Sequence, residues 1–182
     1  MLADKLRAAS ASAPNVAWDL AYAYYNPPAG KWDISTADFV KSFNVLSQDG
    51  APNGMFFKPD GLSMYVVGQG LDRVYQYTLT TAWDIGTASF LQSFSVQTED
   101  TVPRGLFFKP DGLSMYVVGS GSDTVRQYTL STAWNISTAS YTRGFYIATE
   151  DTEPQGLFFK PDGTAMYIVG GAGDDVNQYT LS

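Results

Sequence analysis

Apolar residues in this chain fall in short runs, each stopped by a cluster of turn residues. Leu106-Phe-Phe108 stops at Lys109-Pro-Asp-Gly112, and Met115-Tyr-Val-Val118 stops at Gly119-Ser-Gly121. Pro presets the turn dihedral and Asp-Gly tolerates the rest of the turn. A third run, Thr124–Leu130, alternates: Val125, Gln127 and Thr129 share one face, Arg126, Tyr128 and Leu130 the other. A loop, Ser131-Thr-Ala-Trp-Asn-Ile-Ser-Thr-Ala139, leads to a fourth run, Ser140–Ala148. Short β-branched and aromatic runs bounded by turns predict strands. The four strands are A (105–109), B (114–118), C (124–130) and D (140–148). Apolar residues on both faces of several strands suit a small sheet held between two like sheets.

The pattern recurs every 51 residues. Gly54-Met-Phe-Phe-Lys-Pro-Asp-Gly61 returns as Gly105-Leu-Phe-Phe-Lys-Pro-Asp-Gly112 and as Gly156-Leu-Phe-Phe-Lys-Pro-Asp-Gly163; Trp32, Trp83 and Trp134 keep the same step. A fixed period of this size means stacked supersecondary units, and four short strands per unit predict propeller blades. Residues present three times are then mostly scaffold, so specificity belongs at positions where the copies differ. The segments Phe107-Phe-Lys-Pro-Asp-Gly-Leu-Ser-Met-Tyr-Val-Val-Gly119 and Asp123-Thr-Val-Arg-Gln-Tyr-Thr-Leu130 resemble the YVTN/NHL-type propeller repeat. The added Thr-Ala-Trp-Asp/Asn-Ile segment is similar to repeats of phage and marine-virus structural proteins and of some bacterial surface proteins. That resemblance covers about 32–182 and implies a rigid display scaffold within a virion.

The fold class expected is therefore all-β: three 51-residue, four-stranded blades over 31–182, preceded by an attachment segment over 1–30. The chain stops after a strand C at Tyr179-Thr-Leu-Ser182, whereas Asp38–Leu46 aligns with strand D. Three blades do not close a ring. A homo-oligomer would, with each chain completing a blade of its neighbour; a two-fold dimer is favoured over a trimer because two-fold closure is commonest. A compact three-sheet prism within one chain is the rival. Residues 1–9 predict a short Ala-rich helix, and 16–30 an aromatic, Pro-containing stretch; together they are the expected mount on a larger assembly.

Composition narrows the chemistry. The chain has 182 residues, no Cys and no His. Thiolate and imidazole chemistry, including Ser-His-Asp catalysis and His or Cys zinc sites, is absent. Nothing in the sequence calls for a cofactor or metal, and no enzyme is expected. The net charge of −7 and the lack of a Lys/Arg stripe disfavour nucleic acid. No apolar run reaches membrane-spanning length.

The D–A and B–C loops should share one end of a propeller. Ten of the eighteen acidic residues fall in those loops, making that end acidic: Asp49, Glu99, Asp100, Glu150, Asp151, Glu153, Asp72, Asp123, Asp174 and Asp175. Asp49, Asp100 and Asp151 are candidate ligand carboxylates, for a hard cation or sugar hydroxyls, although Asp also serves turns well. Trp32, Trp83 and Trp134 are candidates for stacking on a sugar, or plugs between blades. The non-repeated Asn53, Arg104 and Gln155 are the candidates for specificity. The function read from these features is a non-enzymatic structural or adhesive propeller, a phage fibre, tail or capsid-decoration component in a virion or extracellular setting. The alternative is a multivalent carbohydrate-binding lectin.

Overall fold

The computed structural model describes residues 33–182. Two units are distinguished, Met1–Val40 and Lys41–Ser182. The described part of the first holds a 3-10 helix, Ile34–Thr36, whose N-cap Asp33 accepts a hydrogen bond from the Ser35 amide. The expected attachment segment, 1–30, lies outside the described residues.

The second unit is three antiparallel sheets. β1 (Pro52–Phe57), β2 (Ser63–Gly68), β3 (Arg73–Leu79) and β4 (Ala88–Ser95) pair in sequence order. β5 (Pro103–Phe108), β6 (Ser114–Gly119), β7 (Thr124–Leu130) and β8 (Ala139–Tyr146) repeat that order. β9 (Pro154–Phe159), β10 (Ala165–Gly170) and β11 (Val176–Thr180) form the third sheet. Each sheet is one blade, as expected. Strand A begins two residues earlier than its apolar run, at Pro103, with a bulge before Gly105. Proline is tolerated as the first residue of a strand because no ladder bond is asked of it.

Strands A lie innermost. A Cβ on Gly54 of β1 would come within 2.6 Å of the Arg104 carbonyl oxygen of β5. The repeated glycine thus lets neighbouring strands A approach backbone to backbone. Asn53 Nδ2 then donates to the Pro103 carbonyl at 2.9 Å across that contact.

Side chains from facing sheets make the core. Between the first and second blades lie Tyr65, Val67, Val74, Val96, Leu106, Phe108, Met115, Tyr128 and Ile136, all buried. Val118, Val125, Ile147, Met166 and Ile168 bridge the second and third. Each interface carries the same aromatic pair across it. Phe94 meets Tyr128 edge-on at 5.4 Å, and Phe145 meets Tyr179 at 5.2 Å.

Asp38–Leu46, expected as a strand D, carries no strand assignment. A ladder needs a strand C beside it, and among the described residues none lies there. Yet Phe43 meets Tyr77 edge-on at 5.4 Å, the pair that Phe94 and Phe145 make one and two repeats later. The segment from Lys41 onward therefore occupies the place of a preceding blade's strand D. Phe43 and Val45 are partly buried against the first blade. Phe39 and Val40, earlier in the same segment, are exposed.

The A–B turns generate a direct test. Gly112 and Gly163 share a left-handed φ, 72° and 75°. A Cβ on Gly112 would overlap the Trp134 indole, whereas one on Gly163 meets nothing within 4 Å. Gly163→Ala should cost only the backbone strain of about 1–2 kcal/mol. Gly112→Ala should cost measurably more, because the indole must move as well. Urea denaturation of both variants checks this; equal losses would mean that the Trp–Gly packing contributes nothing.

Candidate functional site

The D–A and B–C loops meet at one end, held by the aspartates that begin each D–A turn. Asp49 Oδ1 accepts from the Ala51 and Gly70 amides at 2.7 and 3.1 Å. Its Oδ2 accepts from the Leu71 amide at 3.2 Å and the Tyr75 hydroxyl at 3.1 Å. Asp100 repeats the arrangement with the Val102 amide at 2.8 Å and the Ser122 hydroxyl at 2.6 Å. Asp151 Oδ1 accepts from the Glu153 amide at 2.7 Å. All three are at most 2% exposed. Asp49 and Asp100 tie two loops together rather than opening to solvent, whereas Asp151 bonds within its own loop and its buried Oδ2 has no partner among the described residues. Among the described residues no group of three acidic side chains is arranged to hold a metal ion.

Trp134 lies between the first two blades. Its ring is 5.5 Å from Phe108 and 6.3 Å from Phe56, and its carbonyl accepts from the Tyr65 hydroxyl at 2.7 Å and Gln76 Nε2 at 3.0 Å. Trp83 occupies the equivalent place before the first blade; it packs on Phe57 at 5.3 Å and stays 59% exposed. Trp32 lies outside the described residues. The Trp positions are at the opposite end from the acidic loops: the Trp134 amide donates to the Gly112 carbonyl of the A–B turn at 2.9 Å.

Asn53, Arg104 and Gln155 open the three innermost strands, on the acidic end. Arg104 Nη1 reaches Asn53 Oδ1 at 3.5 Å. Gln155 Nε2 and Glu153 Oε2 both converge on Gly171, within 3.1 and 3.2 Å of where a Cβ would stand. Glu153 was counted above only as part of the acidic end. The signal that singles it out is non-repetition: the positions one and two repeats earlier are Val102 and Ala51. Asn53, Arg104 and Gln155 thus stand on successive innermost strands, Arg104 beside Asn53, and the Glu153 carboxylate lies beside Gln155 in the loop that leads into the third of them. These can donate to a carbonyl oxygen and accept a proton from water.

Electrostatics at this end are strained. Burial, only partly relieved by a Gln97 hydrogen bond, and the nearby Asp100 and Asp49 raise Asp72 above the usual carboxylate range. Burial, Asp100 and Asp151 do the same to Asp123. Asp123 also holds a left-handed φ of 46°, and its buried Oδ1 lacks a partner. At the opposite end Lys160 and a hydrogen bond from Thr164 lower Asp162 to about 2.

Innermost strands around an axis, sheets stacked face to face and loops gathered at two ends define a β-propeller segment. Its residues 53–182 match the family described as lactonase, 7-bladed β-propeller, and the chain belongs to that family. No curated protein matches the chain. Among solved structures, a putative 6-phosphogluconolactonase from Bacteroides uniformis is similar at 16% identity with a TM-score of 0.56, over 72% of this chain and 37% of that one. A periplasmic gluconolactonase from Pseudomonas aeruginosa is similar at 18% identity and TM-score 0.56, over 72% and 36%. A protein from Lactobacillus plantarum gives 18%, 0.57, 72% and 38%. The chain therefore spans little more than a third of the length of these structures.

The family corrects the functional expectation. A non-enzymatic structural or adhesive role, in a virion or as a lectin, is overturned by membership in a lactonase family. The absence of His and Cys weighed too heavily. A lactone is an ester whose carbonyl can be attacked by water, and a carboxylate base with a cationic donor is enough to assist it.

Asp72 and Asp123 make a pH prediction. Their folded pKa values lie above the unfolded ones. Their contribution to stability is fully present below the unfolded pKa and is lost as pH rises through the folded value. Asp123→Asn should therefore melt at a higher temperature than the parent at neutral pH, since Asn also accepts left-handed φ. The difference should shrink to nothing below pH about 3. A variant that melts lower at neutral pH would contradict the assigned repulsion.

Proposed function

We propose that this chain supplies blades to a propeller that hydrolyses a lactone, with the reaction at the acidic end of the axis. The observation that carries this reading is the set of non-repeated residues opening the innermost strands, in a chain of the lactonase family. The Glu153 carboxylate takes a proton from water as its oxygen attacks the lactone carbonyl carbon. Arg104 donates to the oxygen that becomes negative, the step at which preorganised donors contribute most. Collapse of the tetrahedral species breaks the ring C–O bond, and the ring oxygen leaves with a proton as a hydroxyl. Asn53 and Gln155 orient the ring by hydrogen bonds to its hydroxyls.

The charge of this end favours a neutral substrate. A lactone meets no repulsion there, whereas the hydroxy-acid product is an anion facing a surplus of carboxylates in a chain of net charge −7. That repulsion speeds product departure and disfavours phosphorylated rings.

Proton release during opening of an unphosphorylated aldono-lactone tests the reading. The protein should accelerate hydrolysis above the spontaneous rate, and Glu153→Gln should lower kcat about 100-fold or more, as expected for loss of a general base. Arg104→Gln should lower kcat with little change in KM, because its donor acts on the oxyanion. No acceleration with any aldono-lactone, or full activity in Glu153→Gln, would overturn it.

A further inference from the structure

We propose that the two free faces of this three-blade unit dock on one another in a second copy of the chain, with Lys41–Val45 of each copy serving as the fourth strand of its partner's third blade. The inference stands apart from the lactone reading; it rests on what the 51-residue step places at each face.

The first face is a groove of about 350 Å³ on the first blade, lined among others by Phe43, Val45, Met55, Phe57, Met64 and Ile85. One repeat later the corresponding surface of the second blade is filled. Phe56 and Tyr65 of the first blade press on Phe108 at 5.4 and 4.4 Å. Filling changes burial sharply. Leu106 is 6% exposed in the filled interface, and Met55, its counterpart in the groove, is 67% exposed. The groove therefore wants a Phe from strand A and a Tyr from strand B of another blade, at the positions of Phe56 and Tyr65.

The second face presents them. Phe158 and Tyr167 of the third blade stand two repeats after Phe56 and Tyr65, and Phe158 is 49% exposed. Around them Val169 and Val176 are 47% and 65% exposed, where Val118 and Val125 are 0% and 5% in the covered interface. The apolar residues uncovered on one face are thus those that the other accepts. Each interface inside the chain already shows the fit.

The hydrogen-bonding edge agrees. β11 is paired with β10 and, among the described residues, has no partner on its other side. In the second blade, Val125 pairs with Phe145 and Arg126 with Gly144. Shifted by whole repeats, that register sets Val176 opposite Phe43 and Asn177 opposite Ser42 of the partner copy. Phe43 already sits over Tyr77 as a strand D does. The donor is in place on its own chain and lacks only the acceptor edge. Lys41 strengthens its hold: its ammonium pairs with Asp84, as Gln92 pairs with Asn135 one repeat later. Exposed β edges and apolar faces of this kind draw association, and the head-to-tail contact made twice closes on itself when two three-blade arcs complete one turn.

Light scattering on the 182-residue chain should give about twice its 19.8 kDa mass. Val176→Asp places a charge on the docking face at a residue that is 65% exposed, and should give a folded monomer by circular dichroism. The chain contains no Cys, so Ser42→Cys combined with Asn177→Cys should form an oxidised dimer on a non-reducing gel, while either single substitution should not. Opposed residues on antiparallel strands lie within disulfide reach, about 4.5–5.5 Å between Cα atoms. A monomeric parent at micromolar concentration would overturn the proposal and point to a further blade of a longer chain as the occupant of the groove. A dimer that survives Val176→Asp and fails to cross-link would overturn it as well, since association would then use another surface.

Discussion

Contact between one blade's A and B strands and the next blade's apolar face is the constraint on which everything else in this molecule depends. A single four-stranded sheet here has apolar residues on both sides and cannot bury either one alone. Val67, Val74 and Tyr65 on one sheet need Phe108, Met115 and Tyr128 on the next. The 51-residue period follows from this, because a blade that lost a residue would shift alternate side chains to the wrong face. So does the position of Trp134, which fills the space between Phe56 and Phe108 and ties the loop to Tyr65 and Gln76.

The same constraint locates chemistry. Face-to-face stacking around an axis brings the first residues of the innermost strands together at one end. Repeated residues there are committed to the turns: Asp49 and Asp100 bind loop amides and hydroxyls, and their burial removes them from solvent. What remains free to act on a substrate are residues the scaffold does not prescribe, Asn53, Arg104, Glu153 and Gln155. A lactone needs only a donor for its carbonyl and a base for water, so a chain without His can still serve such a reaction.

Much of the fold was legible because its signals are local and threefold. The Lys-Pro-Asp-Gly turn, the alternation of Thr124–Leu130 and the unbroken period gave strand order and blade number. Less legible was anything set by partners across space. Strand A starts at a proline whose pairing is invisible in the apolar pattern. Asp38–Leu46 reads as a strand, yet strand structure there needs a neighbour that none of the described residues supplies. At the candidate site, non-repetition pointed to Asn53, Arg104 and Gln155, and the same rule applied to 51, 102 and 153 would have added Glu153. Membership in a lactonase family was not legible, because a chain without His or Cys carries no residue pattern that singles out a reaction class.

The stacking claim is tested most directly by removing its central side chain. Trp134→Ala, unfolded in urea at fixed protein concentration, should lose about 3–5 kcal/mol, the range for deleting a large aromatic from a packed core. It should still unfold in one transition, since the blades on either side share the interface. A loss below about 1 kcal/mol, in the range of an ordinary surface substitution, would contradict the account.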